Sequence, residues 1–145
     1  DHAYLKESKL IKLQKNKKIK KVVMCSGKIY FDLLEAREKT KDDRTVFIRI
    51  EQLYPFPVKH LGRELKKYEN AKFFWCQEEP MNMGAWNFVK PRIVNIIDKK
   101  IKTTYIGRKH SGSTAEGSTK AHKLEQQRII DEAFTLVCAW NPKKD

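Results

Sequence analysis

The chain has 145 residues, the length of one ordinary domain, and its 40% hydrophobic and 10% aromatic content suffices for a single core. No apolar run approaches the roughly 20 residues of a membrane span, and lysines interrupt every apolar group near the N-terminus, so neither a membrane helix nor a signal-peptide layout is expected. The net charge is +13, and three cysteines (Cys25, Cys76, Cys138) without CxxC spacing argue against a zinc site or a disulfide framework and fit a reducing compartment.

Residues 1–21 hold eight lysines against Asp1 and Glu7, a net of +6, which leaves +7 for the remainder. The run reads as a basic arm, a solvated linker or a frayed helix. A basic arm of this kind can track phosphates, which keeps a polyanion- or nucleic-acid-binding domain as the alternative function, although no arginine–aromatic interleaving accompanies it. No internal repeat or low-complexity tract follows.

"KVVMC" (21–25) is a β-branched run ended by Ser26-Gly27 and reads as a buried strand. In "IYFDLLEAREKT" (29–40), Tyr30, Leu33, Leu34 and Arg37 share one helical stripe. "TVFIRI" (45–50) is a second strand, followed by the proline-rich loop "EQLYPFP" and a helix over 58–68 with Val58, Leu61, Leu65 and Tyr68 aligned. "KFFWC" (72–76) is a third strand. "NFVKPRIVNIID" reads as a helix with Pro91 near its first turn, where a missing N–H is tolerated. "KTTYI" (102–106) is a fourth strand, and "GRKHSGSTAEGST" leads to a last helix buried through Leu124, Ile130, Ala133, Phe134 and Val137.

Four strands alternating with four helices predict an α/β fold, a three-layer α/β/α arrangement around a mostly parallel sheet, spanning 22–138 with a tail at 139–145. Parallel crossovers bring all four strand-to-helix loops to the carboxyl edge of the sheet. That edge is expected to carry residues 26–28, 51–57, 77–84 and 107–118.

The chemistry along this edge is ambiguous when read residue by residue. Glu78 and Glu79 are adjacent, so on a loop they need not form an acid–base pair, and a capping or ion-pairing role fits them equally. Ser26-Gly27-Lys28 opens a helix, where anions bind generically, but it matches neither GxxxxGK[ST] nor GxGxxG. Arg108, Lys109, His110 and His122 lie among glycines and hydroxyls, and Ser111 has no nucleophile-elbow context. Cys25 and Cys76 end apolar strands and read as small buried residues, and Trp75 and Trp86 as core or interface aromatics.

The stretches "CSGKIYFDLLEAR", "RIEQLYPFP", "WCQEEPMNMGAWNFVKPRI" and "YIGRKHSGSTAEGSTKAHKLEQQRIIDEAF" closely resemble the C-terminal, transketolase-C-terminal-like domain of the thiamine-diphosphate-dependent decarboxylase component of 2-oxoglutarate dehydrogenase complexes. The resemblance runs from about Val22 to Phe134. It implies a longer parent enzyme of the citric acid cycle that decarboxylates 2-oxoglutarate on thiamine diphosphate and Mg²⁺ and passes the succinyl group to the lipoyl arm of a dihydrolipoyl succinyltransferase. It further implies a homodimer whose cofactor lies between the first two thiamine-binding domains, with this third domain supporting the dimer. Some family members bind a nucleotide or acetyl-CoA effector near their domain junctions.

The family's GDG motif is absent from this sequence, so no catalytic, cofactor-binding or metal-binding residue is assigned here and the stretch alone is expected to be inactive. The residues expected to dock on the rest of the parent or on its twofold mate are Lys28, Glu51, Gln77, Glu78, Glu79, Trp86, Arg108 and His110. A bacterial cytoplasm is the expected location, or the mitochondrial matrix for a eukaryotic parent; no membrane partner is expected.

Overall fold

The structure, a computed structural model, describes residues 4–5, 13–97, 101–112 and 117–135. Its elements in chain order are β1 (Tyr4–Leu5), a 3₁₀ turn (Asn16–Lys18), β2 (Lys21–Cys25), α1 (Ile29–Thr40), β3 (Thr45–Ile50), α2 (Val58–Leu65), β4 (Lys72–Pro80), α3 (Trp86–Ile96), β5 (Thr103–Arg108) and α4 (Thr119–Phe134). The sheet has five strands in the order β1-β3-β2-β4-β5. Strands β2 to β5 are parallel, with Val23 opposite Phe47 on one side and Phe74 on the other, whereas β1 adds antiparallel to the outer edge of β3.

Side chains alternate across a strand, and here both faces are covered, which is why the strands read as unbroken apolar runs. Val22, Met24, Val46, Ile48, Phe73 and Trp75 pack under α2 and α3, against Leu61, Leu65, Val89 and Ile93. Val23, Cys25, Phe47, Phe74, Cys76 and Ile106 pack under α1 and α4, against Ile29, Leu33, Ile129 and Ala133. Each large side chain buried in this way contributes about 1.5–3 kcal/mol. The result is the expected three-layer α/β/α sandwich.

The chain runs from β2 to β3 through α1, then crosses back through α2 to β4 on the other side of β2. The winding direction reverses there, so the carboxyl ends of β2 and β4 flank the switch point, where such sheets leave a crevice.

Several local expectations are revised. The basic arm is not wholly a linker: Tyr4–Leu5 forms the antiparallel edge strand, Ile19 is buried, and residues 14–20 bond to the sheet entrance through Gln14 N–H to Asp43 O (2.9 Å) and Lys20 N–H to Arg44 O (2.9 Å). Lys21 is also buried. Its ammonium donates to the carbonyls of Ala133 (2.7 Å), Glu132 (3.4 Å) and Thr135 and lies 4.6 Å from the Phe74 ring centroid. A lysine in a charge run thus caps the C-terminus of α4, where a cation meets the negative end of the helix.

Strand β4 runs four residues beyond Cys76, to Pro80, with an irregularity that pairs Cys76 with Ile106 and Pro80 with Arg108. β5 likewise continues through Gly107 and Arg108. α3 begins at Trp86, so Pro91 sits in its interior, not its first turn, and the N–H it lacks faces the carbonyl of exposed Asn87. Leu124 is 65% exposed because α4 packs only through its later turns, at Ile129 and Ala133. Val58 is exposed because it opens α2 at the rim. Val137, Cys138 and the tail lie outside the described residues.

Candidate docking rim

Parallel strands place the turn after β2, the loop after β3, the end of β4 and the start of α4 side by side on the carboxyl edge. Two polar clasps join them. In the first, Glu51 Oε1 accepts from the Gly27 N–H (3.1 Å) and from Arg49 Nε. Gly27 has φ +79°, a left-handed conformation that glycine adopts freely. The Arg49 guanidinium lies over Phe31 (4.9 Å) and near Tyr30 (5.6 Å), so α1 and β3 share one cation, and Glu51 links it to the β2 turn.

The second clasp spans the switch point. Lys28 Nζ is 2.9 Å from Glu78 Oε1 and 3.9 Å from Asp32 Oδ2, and the Gln126 amide donates to both carboxylates at 3.0 Å. The hydrogen bond and charge of Glu78 raise the Lys28 ammonium above its ordinary value; burial opposes this weakly. Residues nearly 100 positions apart, Lys28 and Gln126, therefore meet on one carboxylate.

Gln77 organises the segment behind this clasp. It is buried, and its Oε1 accepts from Trp75 Nε1 (2.9 Å) and the Trp86 N–H (3.0 Å). Its Nε2 donates to the carbonyls of Glu79 (3.2 Å), Pro80 (3.0 Å) and Met83 (2.8 Å). Nearly all the hydrogen-bonding capacity of one amide is spent on bending "EEPMNMG" over the end of β4. Gly84 completes the bend: it has φ +64°, and a Cβ there would lie 3.1 Å from Glu79 Cβ and 3.2 Å from Gln77 Nε2.

Across the loop, Tyr105 OH lies 2.9 Å from the Arg108 carbonyl and 3.1 Å from that of Glu79, and its ring sits 5.4 Å from the Trp86 ring. The phenol folds over Gly107, where a Cβ would meet Tyr105 OH at 2.3 Å and the Gln77 backbone carbonyl at 2.9 Å, so a side chain there would force both to shift. Asn82 and Ser111 exchange hydrogen bonds (Nδ2 to Ser111 O, 2.8 Å; Ser111 N–H to Oδ1, 3.0 Å), stitching this loop to the one after β5. Arg128 ties α4 to the same place, donating to Gly107 O (2.8 Å), Glu125 Oε1 (2.6 Å) and Glu132 Oε2 (2.8 Å). The Arg128 hydrogen bond holds the Glu125 carboxyl below its usual range, and Glu125 in turn raises the guanidinium.

Of the eight residues expected to dock, Lys28, Glu51, Glu78, Glu79, Arg108 and His110 retain solvent exposure at this edge, whereas Gln77 and Trp86 are buried beneath it and shape the loop from inside. Glu78 and Glu79 do not face each other: Glu78 turns to Lys28 and Gln126, while Glu79 is exposed. Ser111 contributes its backbone to the loop-to-loop stitch. Cys25 and Cys76 are fully buried, and burial pushes the Cys76 thiol well up, away from the reactive thiolate. Residues 113–116 of the last loop lie outside the described residues.

The rim also presents residues that the sequence reading passed over. Phe31 is 56% and Tyr54 87% exposed, and Val58 stands beside the same loop. Phe31 lies off the apolar stripe of α1, and Tyr54 is an aromatic in a turn-forming "YPFP" loop; each is a large apolar group out of place for a solvated surface. Gln126 and Asn82 are fixed by partners distant in sequence, and Arg49 by nearby Glu51 together with the distant rings of Tyr30 and Phe31. The arrangement is rigid, largely charge-paired and fringed with aromatics, which suits contact with another protein surface.

Comparison with known proteins gives a match to the model of the 2-oxoglutarate dehydrogenase C-terminal family over residues 2–134. The chain is similar to the 2-oxoglutarate dehydrogenase E1 components of Brucella abortus (strain S19), Brucella anthropi and Brucella ovis, at 44%, 43% and 43% identity over 138 residues. These alignments cover 92% of this chain and 14% of each relative, so the chain spans a small part of the length of the curated relatives it matches.

Proposed function

The chain belongs to the 2-oxoglutarate dehydrogenase C-terminal family, and from that premise we propose that it serves as the C-terminal scaffold domain of an E1 component, docking by its carboxyl edge on the rest of the parent chain and on a homodimer mate. The parent decarboxylates 2-oxoglutarate on thiamine diphosphate and delivers the succinyl group to the lipoyl group of its succinyltransferase partner. The single observation that carries the docking reading is the rim itself. Four loops are locked by side-chain hydrogen bonds and ion pairs into one surface from which Phe31 and Tyr54 project.

The described residues do not fit a magnesium diphosphate. No three of His, Cys, Asp or Glu converge among them, and Mg²⁺ requires a near-octahedral set of oxygen donors. No catalytic step is therefore derived from this domain. Its residues orient surfaces: Lys28, Glu78 and Gln126 hold the switch-point loops in register, and Gln77 fixes the loop that carries Glu79 and Asn82.

The test is complementation. A parent E1 chain lacking this domain is mixed with the 145-residue chain, and carbon dioxide release from 2-oxoglutarate is followed. Activity is expected only with both parts present and is expected to fall when Tyr54→Ser and Phe31→Ser are combined. Decarboxylation by the 145-residue chain alone, or tight Mg²⁺-dependent thiamine diphosphate binding to it in calorimetry, would overturn the reading.

A further inference from the structure

The edge opposite the rim has a different chemistry. Strands β3, β2 and β4 start side by side there, about 4.8 Å apart. The segment 14–20 lies across their entrance: Lys20 N–H donates to Arg44 O (2.9 Å), Lys72 N–H to Lys20 O (2.9 Å), and Asn70 Nδ2 to Lys17 O (3.3 Å). Ile19, 1% exposed, plugs the segment into the core, and the 3₁₀ turn Asn16–Lys18 closes through Lys18 N–H to Lys15 O (2.8 Å). The side chains of Lys15, Lys17, Lys18, Lys20, Arg44 and Lys72 are all exposed from this fixed backbone. No carboxylate among the described residues stands within ion-pairing distance of any of the six.

Of the acids at the same edge, Asp42 and Asp43 are tied to neighbouring groups, and Glu69 is exposed without an ion pair to any of the six. Asp42 accepts from Arg44 N–H (2.8 Å) and Thr45 Oγ1 (2.7 Å), and Asp43 from Gln14 Nε2 (2.5 Å). Helix C-termini favour cations nearby, which accounts for Lys39 at the end of α1 but for none of these six, which lie on turns and strand entrances. Self-repulsion of so many like charges on an immobile mount costs stability, so a partner that neutralises them is the physical counterpart of the arrangement.

We propose that this amino-edge platform is a docking surface for a carboxylate-rich protein segment. The backbone N–H groups of Lys18, Lys20, Arg44 and Lys72 are all spent on neighbours within the edge, so the platform offers separate side-chain charges and no amide nest of the kind that cradles a phosphate. All six residues are cationic, so the platform itself supplies no aromatic ring on which a base could stack and no apolar wedge for a bilayer. The platform's outward orientation in the parent rests on the docking reading of the opposite rim; its chemistry does not.

The test titrates the 145-residue chain into a fluorescently labelled poly-L-glutamate peptide, and separately into an oligothymidylate of matching charge, and reads anisotropy. The variant K15Q/K17Q/K18Q/K20Q is compared with K59Q/K90Q/K120Q/K123Q, which removes equal charge elsewhere, and circular dichroism melts verify that both are folded. The platform variant is expected to lose about tenfold or more in peptide affinity and the control less than about threefold, with binding weakened by added salt. Equal losses in the two variants would overturn the proposal, as would tighter binding of the oligothymidylate or no peptide binding at all. If complementation of the truncated parent fails while peptide binding behaves as expected, the scaffold reading falls and the platform stands.

Discussion

The two edges of one sheet use charge in opposite ways. At the carboxyl edge, Lys28, Arg49 and Arg128 each sit on a carboxylate, and the surface gained is apolar, through Phe31 and Tyr54. At the amino edge, Lys15, Lys17, Lys18 and Lys20 are displayed on a backbone as firmly held, without such partners among the described residues. The difference teaches that a net charge of +13 is a poor description of this molecule. Paired cations here are fasteners, and one group of the others is gathered at the amino edge.

The sharpest way to break the comparison is to remove what keeps the carboxyl edge rigid. Gln77→Ala strips the acceptor from Trp75 Nε1 and the Trp86 N–H and the donor from three carbonyls. Leaving buried groups unsatisfied costs roughly 1–3 kcal/mol each when water cannot reach them, so a loss of about 3 kcal/mol is expected in urea unfolding. A loss below about 1 kcal/mol would mean that water replaces the amide and the rim is looser than drawn.

Next in size is the one lysine of the amino edge that is buried. Lys21→Met keeps the stem but abandons the C-terminal carbonyls of α4, and about 2 kcal/mol should be lost. The four exposed lysines of the platform, changed to glutamine, should move stability by no more than about 0.5 kcal/mol. If the exposed set proves as costly as Lys21, the distinction between fastener and platform collapses.

The smallest effect tests the sign of a paired charge. Arg128 depresses the Glu125 carboxyl, so the pair stabilises the fold above the ordinary carboxylate value of 4.5 and loses that contribution as pH falls through the lowered value. Both side chains are partly exposed, so Glu125→Gln should cost only about 0.5 kcal/mol at neutral pH. The cost should vanish in acid, measured as the difference in unfolding free energy across a pH series. A cost that persists below the carboxylate range would assign the effect to packing.

Much of this fold is legible because its signals are local. The β-branched runs at 21–25 and 45–50 and the stripe of Tyr30, Leu33 and Arg37 mark their elements to the residue. Given parallel crossovers, the position of the loops follows from topology alone. What is not legible depends on distant partners. "QEEP" has poor strand chemistry and is strand only because the Gln77 amide and Tyr105 fold the chain there. The start of α3 at Trp86 is set by the bond of its N–H to Gln77 Oε1, which leaves Pro91 inside the helix. The clasp of Lys28, Glu78 and Gln126 joins three elements that no window of sequence contains. Lys21 sits in a charge run like any other lysine, and only the arrival of α4 reveals its role.

The two-residue strand at Tyr4–Leu5 bears on how this piece of protein is handled. It occupies the outer hydrogen-bonding margin of β3, opposite Ile50 and Arg49. A shortened version trimmed to the α/β unit would bare that margin and offer it to any extended neighbour, the usual beginning of sheet-to-sheet clumping. Trimming should therefore show first as turbidity on concentration, before any loss of secondary structure.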